Sequence, residues 1–270
     1  MNANHLTDKF TAIGSRLKLT LTPSNAGQVD EFAIDIQRDR RGEFFEFRAP
    51  QRLSGTLDVS VLQTEKHDRH LLLLVRRQGA NPARFLCGHD ERHWFVAAVP
   101  GGASSVAQAK EALKPALVRA RQRQLEVPTR LRNLRKNEAF RRQGEWFFMP
   151  VTARTRDPIN EKFVLRDEPL RRGAGKPHIV QQLYRVAGEL VYVCSKQPNG
   201  LTDAQYRRLL RNQPSAASWG WQALRRNPRV YARGTVRHSD HATITLPDWH
   251  RVVLNTETET DTMRNVAFID

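Results

Sequence analysis

Between Ser105 and Gln143 the chain carries eleven Lys/Arg against three acids, a net +8 in 39 residues. That is half of the formal +16 of a 270-residue chain; the residues before it sum to +2 and those after it to +6. A block of like charge this dense cannot be buried, because unpaired cations would lose their hydration. It must be either a disordered arm or a set of helices with one exposed face. The local signals favour helices. Ser104 and Ser105 are N-cap residues, and Ser105 with Gln108 has the spacing of a capping box. Pro115 and Pro128 suit the first turn of a new helix, where the missing N–H costs nothing. Leu113, Leu117, Val118, Leu125, Leu131, Leu134 and Phe140 form a thin apolar stripe that can dock on a sheet. The segment is expected to hold two or three short helices, the last spanning Thr129–Gln143 and stopped by Gly144.

The flanking segments read as strands. Phe32, Ile34 and Ile36 alternate with polar residues, as do Leu57, Val59 and Val61, which is the period of a half-buried strand. Leu71–Val75 and Phe95–Val99 are continuous apolar runs, expected to be covered on both faces. Residues 1–104 therefore predict a small antiparallel barrel or sandwich. One hairpin there, Cys87-Gly-His-Asp-Glu-Arg-His93, is chemically dense. Its spacing matches no familiar ligand pattern, and it reads as a polar turn.

Residues 144–255 predict a second β-rich domain. A strand opens at Trp146–Val151, and another covers Phe163–Leu165. A hairpin is expected around Gly188-Glu189, and a helix begins at the Thr202/Gln205 capping box. A second helix is expected from Ser215 to Arg226. Three strands follow, at Val230–Arg237, Thr243–Leu246 and Trp249–Leu254. The basic loop Arg171–His178 departs from a phosphate-binding loop, with Leu170 where glycine is required and Pro177 where a hydroxyl would hold magnesium. Residues 256–270 read as an acidic tail. The fold class expected is α+β: two small antiparallel β-rich domains (1–104 and 144–255) joined by the basic helical segment 105–143.

The charge implies a polyanionic partner. Eight of the eleven cations in the central block are Arg, which forks phosphate and stacks on bases. The reading this supports best is binding of nucleic acid, RNA or single-stranded DNA, through phosphates rather than base edges. The expected contacts are Arg119, Arg121, Arg123, Arg130, Arg132, Arg135, Lys136, Arg141 and Arg142, then Arg171, Arg172 and Lys176, and Arg207, Arg208 and Arg211 beside Tyr206, Trp219 and Trp221. Two other readings stand beside it. His238, Asp240, His241 and His250 fall within thirteen residues and, if they converge, can move protons in phosphodiester cleavage, with Arg237 or Lys176 offsetting charge on phosphorus. Alternatively, the basic middle docks on an acidic protein within a larger assembly. No cofactor or metal is expected. Two distant cysteines and the lack of a long apolar run or signal peptide suggest a cytoplasmic chain with no membrane partner.

Overall fold

The computed structural model describes residues 3–23, 31–53, 55–172 and 176–257. Among them the chain is β-rich and of mixed α+β class, with four sheets and five α-helices. It opens on a helix that strand periodicity did not suggest, α1 (Ala3–Ala12). Leu6, Phe10 and Ile13 recur at helical spacing and are all buried.

Two sheets follow. β1 (Leu17–Thr22) runs parallel to β3 (Gly42–Pro50), which pairs antiparallel with β2 (Ala33–Asp39). β4 (Leu57–Glu65), β5 (His70–Arg77), β6 (Ala83–Asp90) and β7 (His93–Ala98) form an antiparallel meander. The sheets enclose one core with α1, including Phe10, Ile34, Phe45 and Phe85, so the arrangement is a sandwich rather than a barrel. The continuous run on β5 has a simple cause. Leu71, Leu73 and Val75 point into this core, while Leu72 points to the opposite face with Leu86, Ala97 and Val99. Each fully buried aliphatic side chain contributes on the order of 1.5–3 kcal/mol.

That second face is covered by α2 (Val106–Ala112), through Val106, Ala109 and Leu113. Ser105 caps it, its hydroxyl accepting the Gln108 N–H at 3.2 Å. α3 (Ala116–Gln124) and α4 (Thr129–Arg132) begin after Pro115 and Pro128, as the prolines suggest. They dock elsewhere: Val118 and Val127 pack on Phe140, Phe147 and Met149 of the second β layer. The basic segment thus places α2 on one β layer and α3 and α4 on the other. Buried Lys114 fixes the joint, donating to Glu111 Oε1, Gln122 Oε1 and the Arg132 carbonyl.

The helix expected over Thr129–Gln143 stops after four residues. Asn137 accepts the backbone N–H groups of Ala139 and Phe140 on its side chain, turning the chain away from helix. Arg141–Gln143 is β8, and Gly144 is the hairpin turn into β9 (Trp146–Pro150) at φ +56°. β10 (Leu165–Leu170), β11 (His178–Val186), β12 (Glu189–Cys194), β13 (Gln197–Thr202), α5 (Asp203–Asn212), β14 (Gln222–Arg226), β15 (Arg229–Arg237) and β16 (Ile244–Leu254) complete the chain. The large sheet has the order β10-β11-β15-β16-β9-β8, and β13-β12-β14 form a small separate sheet.

Four expectations change here. Val186 and Glu189 end and begin strands of different sheets, so no hairpin forms at Gly188. The helix expected over Ser215–Arg226 is a 3-10 turn (Pro214–Ser218) followed by β14, because Gly220 takes φ +72° and ends the turn. Thr243–Leu246 and Trp249–Leu254 belong to one strand, β16. The strand expected at Phe163–Leu165 begins only at Leu165, after a 3-10 turn (Glu161–Phe163).

At the far end, Thr256 and Glu257 are buried rather than loose. Glu257 accepts the Ala98 N–H at 3.0 Å and the Arg172 guanidinium at 2.8 Å, tying β7 to the second layer. The rest of the expected acidic tail, residues 258–270, and residues 173–175 of the basic loop lie outside the described residues.

Candidate functional site

The antiparallel register Ile179↔Arg237 between β11 and β15 extends to put His178 opposite His238. Their rings stack, centroids 4.2 Å apart and 23° from parallel. The turn after β15 then folds His241 back onto both, with centroids 4.8 Å from His238 and 5.7 Å from His178. One ring nitrogen from each histidine lies within 4.8 Å of the others, and among the described residues no other such group of potential metal ligands occurs. His178 is fully buried and the His241 side chain is 9 % exposed.

The hydrogen bonds around the cluster fix where its protons sit. Gln143 donates its amide N–H groups to the carbonyls of Ala242 (2.6 Å) and Val236 (3.2 Å), so its oxygen faces His178. At 2.9 Å that oxygen accepts from His178 Nδ1, which turns Nε2 toward the cluster. Nε2 is buried without a hydrogen-bond partner, 3.6 Å from the carboxylate of buried Glu145. His238 instead accepts the Asp240 N–H at Nδ1 (3.1 Å), and its Nε2 is also buried and unpartnered. His241 Nδ1 is unpartnered too, 3.9 Å from Glu91.

Gly144 makes this approach possible. A Cβ there would stand 3.0 Å from His241 Nε2 and 3.3 Å from His178 Nε2.

Burial, reinforced by His238 and His178, lowers His241 to about 3. Burial and then His178 also lower His238. Both rings are therefore neutral at pH 7, as nucleophile-directed proton acceptors and metal ligands must be. A depressed folded-state pKa means that the unfolded chain takes up protons first. The stabilisation is complete above the unfolded value of about 6.5 and is lost as pH falls toward about 3. Urea midpoints are expected to drop steadily on acidification below about pH 6.5, and His241→Gln should flatten that slope.

The site is composite. The tip of the β6–β7 hairpin inserts beside the cluster, where Glu91 accepts the Ala242 N–H and pairs with Arg135. Asp90 pairs with Arg135 and Arg142. His93 lies between Glu43 (2.6 Å) and Asp240 (3.8 Å), and Lys176 holds Asp240 at 2.7 Å. A cavity of about 340 Å³ opens here, lined by His241, Glu145 and Asp240 from one layer and His89, Asp90 and His93 from the other. Its charged lining is balanced, with Lys110, Lys114, Arg135, Arg142 and Arg172 facing Asp68, Asp90, Glu145, Asp240 and Glu257.

Of the four residues proposed for chemistry, His238, Asp240 and His241 come together. His250 does not. It is opposite Ala232, well down the ladder, with Nδ1 bonded to the Asp248 carbonyl at 2.7 Å. The members that sequence reasoning missed are His178, Glu145, Gln143 and Glu91. Cys87 is buried in the sandwich core, so it does not join His89 and His93 in a ligand set.

The fifteen basic positions divide into distinct groups. Arg135, Arg142, Arg172 and Lys176 are engaged by the acids named above, and Arg172 is buried. Arg132 and Arg141 donate to the carbonyls of Val127 and Thr245, Arg121 to Gln124, and Arg207 to Asp203. Arg123, Arg130, Lys136, Arg171, Arg208 and Arg211 are exposed and Arg119 half-buried. None of these seven has an ion pair with a described acid within 4.0 Å. The rings near α5 stack mainly on one another: Tyr192 on Tyr206 at 4.1 Å, with Trp221 edge-on to Tyr206.

No protein-family model, curated protein or solved structure matches the chain. No described helix is long and apolar enough to cross a membrane.

Proposed function

We propose that the chain is a hydrolase acting on phosphodiester bonds, with nucleic acid as the substrate class. The observation that carries this reading is the convergence of three imidazoles, each with a buried unpartnered nitrogen, beside the buried Glu145 carboxylate, with His241 and Glu145 on the cavity wall. Burying such groups unsatisfied costs about 1–3 kcal/mol each, a cost that functional sites tolerate. In this reading, Glu145 takes the proton from a water attacking phosphorus and returns it to the leaving oxygen as the P–O bond breaks, while the His238 Nε2–H donates to a phosphoryl oxygen. Lys176, bonded to both Asp240 oxygens, offsets charge developing on phosphorus. The exposed cations Arg123, Arg130, Lys136, Arg208 and Arg211 hold the rest of the strand by its phosphates. The two β layers then act as separate domains joined by the basic helical segment 105–143.

Cleavage of labelled single-stranded RNA and DNA by the purified protein tests the reaction. Glu145→Gln and His241→Gln should each lower turnover by at least 100-fold, with strand affinity nearly unchanged. Absence of cleavage on either strand, or turnover insensitive to both changes, overturns the proposal.

The seven uncommitted cations also favour a second reading, a non-catalytic nucleic-acid-binding protein. It predicts salt-sensitive retention on nucleic acid without cleavage. Replacing Arg123, Arg130 and Lys136 by Gln should make the salt slope shallower by about one for each phosphate no longer held.

A further inference from the structure

We infer that His178, His238 and His241 form a binding site for one divalent transition ion of the zinc class. The inference concerns how the proposed reaction centre is activated, but its geometric basis stands apart from any reaction.

The clearest observation is a mismatch. Gln143 fixes a proton on His178 Nδ1, so Nε2, buried without a hydrogen-bond partner, faces the Glu145 carboxylate at 3.6 Å. That arrangement needs a positive charge between nitrogen and carboxylate, from a proton or from a bound cation. A single proton can serve only one of the clustered nitrogens. A cation that takes lone pairs satisfies all of them together. One nitrogen of each ring can supply a lone pair, and Glu145 or a water can take the fourth position.

The surroundings match what such a centre requires. A ligating imidazole commonly donates its other N–H to an oxygen acceptor, which fixes its tautomer and strengthens it as a ligand. His178 already does so through Gln143, whose own amide is locked by two carbonyls. Imidazole donors with one carboxylate suit zinc, cobalt and nickel better than magnesium or calcium, which prefer oxygen. Gly144 leaves the cluster open at the point where a side chain would cover two of the nitrogens.

Two adjustments accompany loading. A tetrahedral ion with N–Zn of about 2.0–2.1 Å sets its ligand nitrogens about 3.3 Å apart. From a spread of 4.8 Å, and from stacked planes 17° to 28° apart, the rings must close by up to about 1.5 Å and fan out by side-chain rotation until their in-plane lone pairs meet. His238 must also move its proton from Nε2 to Nδ1, giving up the 3.1 Å bond from the Asp240 N–H. His178 keeps its Nδ1–H throughout.

The test uses the full chain stripped of metal by chelator and titrated with Zn²⁺ and, separately, Co²⁺. The expected result is one saturable equivalent, tetrahedral visible bands for Co²⁺, and a rise in melting temperature with Zn²⁺. His178→Ala and His241→Gln should each weaken binding at least 100-fold, and Gln143→Leu about 10–100-fold. His250→Ala should leave binding unchanged. Nitrogen NMR of labelled histidine adds a readout independent of variant folding: the His238 tautomer changes on loading and that of His178 does not. Absence of saturable binding to the wild-type chain overturns the inference. So does binding that survives both histidine changes, since it would mark adventitious surface capture. Metal binding without strand cleavage retains the site and removes the hydrolase reading. Cleavage by the stripped chain with unaltered turnover does the reverse.

Discussion

Glu257→Ala should destabilise the chain by about 3–5 kcal/mol, the largest single loss of stability expected for a polar residue here. The Glu257 and Arg172 side chains are 6 % and 7 % exposed and meet at 2.8 Å. Removing the carboxylate leaves a buried guanidinium without its counter-charge and the Ala98 N–H without its acceptor. For a chain of this size the loss corresponds to a fall of roughly 10 °C in melting temperature. The measurement is a urea midpoint at constant m, with circular dichroism confirming that the strands persist. Replacing both partners by apolar residues, Arg172→Met with Glu257→Leu, should recover a large part of the loss. A change below about 1 kcal/mol for the single variant would show that the pair is solvated and does not tie the layers together.

Gly144→Ala should cost binding at the histidine cluster at least as much as removing one histidine, although it deletes no polar atom. The backbone has φ +56° there, a region where a side chain costs roughly 1–2 kcal/mol. The added Cβ would also press on His241 Nε2 at 3.0 Å and His178 Nε2 at 3.3 Å. At these distances the rings must give by a few tenths of an ångström, and the added methyl group stands in the way of the closure that metal loading requires. Zinc affinity should fall about 100-fold or more, while the melting temperature of the metal-free chain falls by only several degrees. Gly42→Ala is the matched control. Gly42 also has positive φ at a hairpin turn, but a Cβ there meets nothing within 4 Å. It should reproduce the backbone cost and spare the site. Equal zinc affinity in the two variants would refute the crowding argument.

How much of this could be read from the residues varies with the range of the interaction. Alternation at Phe32/Ile34/Ile36 and the unbroken Leu71–Val75 run are local signals: the second is buried throughout β5, while in β2 Ile34 is buried and Ile36 half-buried, but Asp35 between them is buried as well. The Thr202/Gln205 capping box is local too, and both of its hydrogen bonds form. Errors arose where a side chain competes with the backbone or a glycine breaks a run. Asn137 ended a helix that apolar spacing alone extends to Gln143. Gly220 separated a 3-10 turn from a strand. The site was legible only in part. His238, Asp240 and His241 are close in sequence and so could be seen together. His178 is sixty residues upstream and reaches them only through the β11–β15 register, which no local pattern specifies. Gln143 ends the helix expected from the apolar spacing and Glu145 falls between the expected stop at Gly144 and the strand at Trp146, so the β8–β9 hairpin that brings both to the cluster has no local signature. Arg135 and Arg142, which look like surface cations in the sequence, are drawn inward by Asp90 and Glu91. Of the fifteen expected positions, eight have partners within the chain and seven stand without an ion pair to a described acid.

The closure made by Glu91 and Glu257 also sets a timetable for folding. The Glu91–Ala242 bond joins residues 151 apart in sequence, and the Ala98–Glu257 bond joins residues 159 apart. Loops this long close late, after local meanders and helices have formed, because their entropy is lost before their contacts accrue. During synthesis the N-terminal sandwich can fold while His238 and His241 are still inside the ribosome, but the cavity cannot exist until residue 257 has emerged. The chain thus passes through an interval in which it is largely structured and its histidine cluster is still unmade. A ligand that binds only the closed site, added during refolding, should trap the last step and leave the early ones at their own rates.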